Sequence, residues 1–244
     1  LIDGSQPTLE NIAGGLAALP LLARHGSAVR GTPRLELRTE YNPEKRTAVQ
    51  IVPALIGTIL NMTMVVFTAG AIVRERERGN LELLITTPIT SGQLMAGKLA
   101  PYVLIGLLQV SLILVIGHNL FDVPIRGSLF DLYLGAALFI AATLSLGLFI
   151  STLAQTQMQA FQMAFFTMLP SILMSGFMFP FDGMPTLAQY IAQLLPLTHF
   201  NEIVRGVVLR GAPLTSMVEQ IAKLGVFTTV MMAAAMLRFH KRLD

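Results

Sequence analysis

Long apolar stretches alternate with polar connections along most of this chain. The five stretches cover residues 49–73, 98–117, 131–153, 158–179 and 218–237. An α-helix rises about 1.5 Å per residue, so about 20 residues cross the roughly 30 Å hydrocarbon core of a bilayer. Each stretch is long enough to do so. The pattern therefore predicts five transmembrane helices and the fold class of an all-α polytopic membrane protein.

The composition supports this class. Hydrophobic residues make up 53% of the chain and charged residues 13%, and the mean hydropathy is +0.65. A soluble domain has about 25% charged residues. The net charge of +3 could suit nucleic acid in a soluble protein, but here Lys and Arg cluster beside apolar stretches, where they set topology. We therefore expect membrane lipid, and no nucleic acid, around this chain.

The positive charges predict an orientation. Two clusters flank apolar stretches, and they are Arg74, Arg76, Arg78 and Lys98, and Arg238, Lys241 and Arg242. Both fall on one face of a five-span arrangement, which the positive-inside rule makes cytoplasmic. Lys45 and Arg46 oppose this, but they lie in a longer polar segment, where positive charge carries less weight.

This orientation divides the chain into two parts. Residues 1–48 are predicted to be the C-terminal part of a small α/β extracytoplasmic domain, with a helix over 8–19 and a strand over 34–38. Residues 49–244 form the transmembrane domain. The chain begins at Leu1 with no span that could carry residues 1–48 across the membrane, so we expect a fragment that lacks at least one upstream span.

The densest charge run follows the first apolar stretch. Residues 74–86 are predicted to form a short cytoplasmic helix, in which Glu75, Arg78 and Glu82 share one face at spacings of three and four. Leu81, Leu84 and Ile85 line another face. The residues alone leave two interpretations open: a loop resting on lipid headgroups, and a helix presented to another protein.

A stripe of small and polar residues runs along the first apolar stretch. Its members are Ala54, Gly57, Asn61, Val65 and Thr68, with Gln50 above them. Such a face is expected to contact protein and not lipid. It can serve helix packing, or it can form a wall of a substrate path, for which we name Gln50, Asn61 and Thr68. Phe165 and Phe166 are further path candidates, with lipid contact as their alternative.

Residues 180–217 are too long and too apolar for a simple loop. Four prolines divide the segment into short helices, at Pro180, Pro185, Pro196 and Pro213. We predict re-entrant or interfacial helices on the extracytoplasmic side. Glu202 and Arg205, three residues apart, are a candidate ion pair of an outer gate, and a structural lid is the alternative.

We do not expect ion coupling, nucleotide binding or catalysis within this chain. The apolar stretches contain almost no ionisable groups, which argues against an ion-coupled carrier. Residues 92–98 fit the first seven positions of a P-loop, but Leu99 occupies the eighth and offers no hydroxyl to Mg²⁺. There is no paired His motif for zinc. We predict no catalytic, cofactor-binding or metal residue and no enzyme activity in the chain.

Several motifs together resemble a known family. They are Arg74-Glu-Arg-Glu-Arg-Gly-Asn-Leu-Glu-Leu-Leu84, Thr87-Pro88, Gly97-Lys-Leu-Ala-Pro-Tyr102, Asp3-Gly-Ser-Gln-Pro7 and Pro196-Leu-Thr-His-Phe200. The set resembles the membrane-spanning subunits of bacterial ATP-binding-cassette exporters of the ABC type 2 class. Gln6 stands where that family usually has Asp.

The resemblance implies a six-span permease that exports an apolar or amphipathic cargo across the bacterial inner membrane. Residues 74–86 would be its coupling helix, and the contact to an ATPase subunit would be made by Glu75, Glu77, Arg78 and Glu82. ATP and Mg²⁺ would bind that partner. The other implied partners are a second permease copy or homologue, forming a dimer, and a periplasmic adaptor. The alternative function is a non-transporting scaffold that recruits an ATPase.

Overall fold

The computed structural model describes residues 2–3, 39–40, 47–78, 91–176 and 183–240. In this part of the chain lie seven α-helices and one short 3-10 helix. The α-helices are α1 (Thr47–Glu77), α2 (Ser91–Phe121), α3 (Leu129–Leu153), α4 (Gln157–Met174), α5 (Thr186–Leu194), α6 (Pro196–Arg210) and α7 (Val218–His240). The 3-10 helix, Leu214–Met217, precedes α7. The all-α class is confirmed.

The first 48 residues contribute a minimal parallel pair of strands. β1 (Ile2–Asp3) and β2 (Thr39–Glu40) place Ile2 opposite Thr39. The predicted helix over 8–19 and the predicted strand over 34–38 lie outside the described residues. The predicted α/β domain therefore stays a prediction.

Four helices are long and apolar enough to cross a bilayer, as judged by length and composition within the described residues. They are Ala48–Glu77, Gly97–Phe121, Leu129–Leu153 and Leu214–Arg238, which match four of the five predicted spans. The fifth prediction, 158–179, corresponds to α4, which has 18 residues and is not among the four. Gln157, Gln159 and Gln162 near its start lower its hydropathy.

Helix α1 continues beyond its predicted end. The prediction ended the span at residue 73 and began a separate helix at 74, whereas the structure has one unbroken helix to Glu77. Arg and Glu are good helix formers, and Gly79 is the first residue able to interrupt the run. Residues 74–77 are therefore the last turn of α1, Arg78 follows it in a turn, and residues 79–86 of the predicted coupling helix lie outside the described residues.

Helices α1 and α3 form the tightly packed centre of the molecule. A Cβ added at Gly147 of α3 would lie 2.8 Å from Cβ of Thr68 and 2.9 Å from the carbonyl oxygen of Val65, both on α1. Small residues permit such close approach between membrane helices. The two helices are therefore in near-backbone contact along this stretch.

Helix α6 packs between the N-terminal halves of α1 and α3. A Cβ at Gly57 of α1 would lie 2.8 Å from Leu197 Cδ1, and Phe139 of α3 stacks on Phe200 with ring centroids 4.2 Å apart. Gly57 and Phe139 lie about ten residues into their helices, which corresponds to about 15 Å along the axis. Helix α6 ends at Gly211, whose φ of 67° is the left-handed C-cap conformation that glycine adopts without strain.

Three helices lie at the periphery with exposed apolar faces. On α2 these are Leu104, Leu108 and Leu112, on α5 Leu187, Tyr190 and Leu194, and on α7 Val226, Val230 and Leu237. Apolar side chains on the outside are the normal state of helices that face lipid tails. The periphery therefore fits a bilayer environment.

Candidate functional site

The last turn of α1 contacts three other helices. Glu75 forms an ion pair with Lys98 of α2. Arg76 donates two hydrogen bonds, to the carbonyl oxygens of Ala154 and Ser151, each at 3.0 Å, at the end of α3. Glu77 accepts from the backbone N–H of Gln157 at 2.9 Å and from its side-chain amide, at the start of α4.

Sequence reasoning missed part of this cluster. Arg74 Nε donates to the side-chain oxygen of Gln157 at 3.1 Å, and neither Arg74, Arg76 nor Gln157 was a predicted site residue. Their partners lie 75 to 83 residues away along the chain. The signal that could have found them is the short polar turn between two apolar stretches at 154–157, which must lie level with the end of α1 if both spans end on one face.

The predicted ATPase contacts therefore differ in their availability. Glu75 and Glu77 are engaged within the chain. Arg78 is exposed, and its side chain has no partner in the stretches that the structure describes. Glu82 lies outside the described residues. The structure thus brings Glu75 and Glu77 to one cluster and leaves the role of all four as a prediction.

The small and polar stripe of α1 faces protein, as predicted. Ala54, Gly57, Asn61, Val65 and Thr68 are all buried, and Gln50 is half-buried. The amide oxygen of Asn61 and the hydroxyl of Thr68 have no hydrogen-bond partner in the described part of the chain. Polar atoms without partners are uncommon in protein interiors.

Asn61 lies at a narrow cleft between α1 and α4. The other residues that line this cleft are Met62, Val65, Val66, Leu146, Ala164, Thr167 and Met168. Phe165 and Phe166 do not line it, and they are exposed on α4 to 52% and 72%. The structure thus places Asn61 in an internal cleft of the single chain and the two phenylalanines on its surface.

The predicted ion pair between Glu202 and Arg205 is wrong for the described structure. Glu202 accepts from the side-chain amide of Gln220 on α7 at 2.9 Å, and Arg205 donates to the carbonyl oxygen of Gly176, after α4, at 3.3 Å. The two side chains thus bind different neighbours of α6, namely α7 and the residues directly after α4. Arginine stays protonated at neutral pH, so Arg205 brings a positive charge to this end of α4.

Helix α6 thereby holds the C-terminal end of α4. Asn201 Nδ2 donates to the carbonyl oxygen of Ser175 at 3.4 Å, beside the bond from Arg205 to Gly176. Ser175 and Gly176 directly follow the last residue of α4, so their carbonyl oxygens have no partner within the helix, and these two donors satisfy them. As for metals, no cluster of three or more potential ligands occurs in the described ranges.

Comparison with known proteins identifies the family of this polytopic membrane protein. The family model "ABC-2 type transporter" matches residues 31–209. The chain therefore belongs to the ABC-2 type transporter family, and it is a transport permease that passes the membrane several times.

Individual relatives agree over nearly the whole chain. The "Probable multidrug ABC transporter permease YbhR" of Escherichia coli K12 is 30% identical over 247 residues, which covers 99% of this chain and 67% of that protein. "YbhS" of the same strain, described in the same words, is 29% identical over 252 residues and 67% of its length. The "Inner membrane transport permease YhhJ" is 32% identical over 241 residues, 96% of this chain and 62% of that protein.

Proposed function

We propose that this chain is the membrane-spanning subunit of an ATP-driven exporter, and that a partner subunit binds and hydrolyses ATP with Mg²⁺. The observation that carries the proposal is the charged last turn of α1, which joins three helices directly ahead of residues 79–90. A segment can convey ATP-driven movement only if it is joined firmly to the spans. The relatives' printed descriptions as ABC transporter permeases support the same function.

The proposed assembly has two permeases and two ATPases. The ATPase contact lies on the cytoplasmic side of a bacterial inner membrane. It consists of Arg78 and residues 79–90, which include Glu82. The second permease is another copy of this chain or a homologue, and a periplasmic adaptor is a further partner. In this orientation α6 is a re-entrant helix that reaches about 15 Å inward, and α5 lies at the outer interface.

The proposed path for cargo opens between α1 and α4. Ala160, Ala164 and Ser171 of α4 are buried, and opening requires α4 to give up its packing on α1, including the contact of Phe161 with Gly70. Separation of α4 from α1 would expose the amide oxygen of Asn61, which has no hydrogen-bond partner in the described residues. Thr68 and Gln50 lie on the same stripe of α1. An apolar or amphipathic cargo with one hydrogen-bond donor fits such a wall. Phe165 and Phe166 would face it from α4 of the second permease.

The outer gate is proposed at Arg205 and not at an ion pair. Arg205 holds the C-terminal end of α4 on α6, and Glu202 holds α6 to α7. Release of α4 from Arg205 would free the outer end of the path.

The experiment is reconstitution of the full-length permease with its ATPase in proteoliposomes, with ATP-dependent movement of an amphipathic dye as readout. The double variant Arg78→Glu, Glu82→Lys should lose ATPase binding and transport while inserting normally. Glu219→Lys, at an exposed pair with Lys223 far from this end, is the matched control. If the parent binds the ATPase and moves no cargo, the scaffold alternative holds. If the double variant couples normally, the contact is not at 78–82.

A further inference from the structure

The connection between α3 and α4 is three residues long, 154–156, and it is held by two adjacent residues of α1. Arg76 binds the carbonyl oxygens of Ser151 and Ala154 on one side of the connection. Glu77 binds the backbone N–H of Gln157 on the other side. We call Arg76 and Glu77 the α1 clamp.

The charges of the α1 clamp match the helix ends that they touch. A helix carries a partial positive charge at its N-terminus and a partial negative charge at its C-terminus. Arg76 sits at the C-terminal carbonyls of α3, and Glu77 sits at the N-terminal N–H groups of α4. Bonds between an ionised side chain and backbone groups are roughly twice as strong as neutral ones. Both helix ends are therefore fixed to a single turn of α1.

Helix α4 is held at both ends and packs on α1 between them, where Phe161 lies against Gly70. Glu77 binds the N–H of its first residue, and Asn201 and Arg205 of α6 bind the carbonyl oxygens of Ser175 and Gly176, directly after its last residue. Its 18 residues span about 27 Å, so a tilt of about 5° about one end moves the other by about 2 Å. A displacement of the end of α1 is thus passed to α4, which lines the cleft at Asn61.

We propose that Arg76 and Glu77 are positioning residues that carry movement of residues 79–90 to the α3–α4 connection, and that they do not bind the ATPase. This inference rests on the proposed function, and it changes the role that the sequence predicts for Glu77. The α1 clamp stays closed during transport, so that the end of α1 and the start of α4 move as one body.

The functional test is a double-mutant cycle in the full-length transporter with its ATPase. Glu77→Ala removes the acceptor of both bonds and should lower the cargo moved per ATP by about 10-fold. Gln157→Ala removes only the side-chain donor and keeps the backbone N–H, so its loss should be smaller. The double variant should be no worse than Glu77→Ala. Glu77→Gln keeps an acceptor for the Gln157 N–H and should retain most of the coupling. ATPase binding should stay at the parent level in all four, and Glu219→Ala is the control.

Two results of this cycle would overturn the α1 clamp. One is loss of ATPase binding in Glu77→Ala together with full coupling in Gln157→Ala, because Glu77 would then touch the ATPase. The other is independent losses that multiply in the double variant.

A second measurement does not depend on transport. Spin labels at the exposed positions 78 and 158, in the full-length permease in nanodiscs without ATPase, should give a narrow distance distribution that Glu77→Ala broadens at least two-fold. An unchanged width refutes the α1 clamp even if transport is lost. Conversely, a parent that shows the narrow distribution and no ATP-driven transport refutes the proposed function and leaves the α1 clamp standing.

Discussion

Apolar length predicted both α3 and α7 as transmembrane helices, but the two helices are buried to different extents in the fold. The span of each, Leu129–Leu153 and Leu214–Arg238, has 25 residues, with mean hydropathies of 2.1 and 1.5. In the most apolar window of 18 residues, however, 72% of the residues are buried in α3 and 11% in α7. Hydropathy reports suitability for a bilayer, and it does not report whether the neighbour of a side chain is lipid or protein.

Glycines show what separates the two helices. Gly135 and Gly147 of α3 each have an atom of another helix within 3 Å of where a Cβ would be, whereas Gly225 of α7 has nothing within 4 Å. A glycine in α3 is therefore a contact point and a glycine in α7 is open surface. Replacing a glycine should therefore change the free energy of unfolding more in α3 than in α7, and mutations can measure this difference.

The largest expected difference concerns two phenylalanines. Phe200→Ala removes a fully buried ring that stacks on Phe139, and it should lower the free energy of unfolding by about 3–5 kcal/mol. Phe166→Ala, at a ring that is 72% exposed, should change it by less than about 0.5 kcal/mol. Denaturant titration of the purified protein in lipid bicelles measures both. Equal losses would show that Phe166 is packed in the folded protein.

The second difference compares the glycines directly. Gly147→Ala should cost about 1–3 kcal/mol by overpacking against the backbone of α1, because the nearest atoms include the Val65 carbonyl oxygen. Gly225→Ala meets no atom and should be neutral or slightly stabilising through helix propensity. Thermal unfolding in the same bicelles gives the answer. A tolerated alanine at 147 would mean that α1 and α3 are further apart than described here.

The third concerns function more than stability. Asn61→Leu keeps the branching of the side chain and removes an amide oxygen that has no partner, so stability should change by less than about 1.5 kcal/mol. If Asn61 faces cargo, the preference among dyes should change with basal ATP hydrolysis preserved. Asn119→Leu, at an exposed position of α2, is the control. A uniform loss for all dyes would assign Asn61 to packing, and no change at all would remove it from both roles.

The smallest difference concerns the attachment of α2, another of the peripheral helices. Glu75→Lys places two like charges together at Lys98 and should cost up to about 1 kcal/mol, since the pair is partly exposed. Adding Lys98→Glu should restore stability in the same bicelles, and ATPase binding should stay at the parent level in both variants. If the exchange restores stability alone, Glu75 also contacts the ATPase.

Sequence predicted the parts that depend on local chemistry. Four spans and the protein-facing stripe of α1 followed from apolar length and from small-residue spacing. The end of α1 was missed because the charge run was assigned to a separate helix, although its residues favour continuation. Helix α4 was overextended because apolar residues after Met174 were counted with it. Glu202 and Arg205 were paired by spacing alone, and their partners belong to α7 and to the end of α4.

For the site, the sequence predicted Glu75 and Glu77 as ATPase contacts, which stays a prediction, and it did not indicate their partners within the chain. Lys98 lies 23 residues from Glu75, and Gln157 lies 80 residues from Glu77. Contacts at such separations depend on which helices are neighbours, and apolar periodicity does not encode that choice.

The position of α6 between α1 and α3 sets an order of events during synthesis. Phe139 and Phe200 stack in the finished protein, but at about 5–20 residues per second the ribosome reaches the second ring roughly 3–12 s after the first. During that interval α1 and α3 lack the packing that α6 supplies at Gly57 and Phe139. The N-terminal halves of these two spans therefore reach their final packing only after α6 has been made.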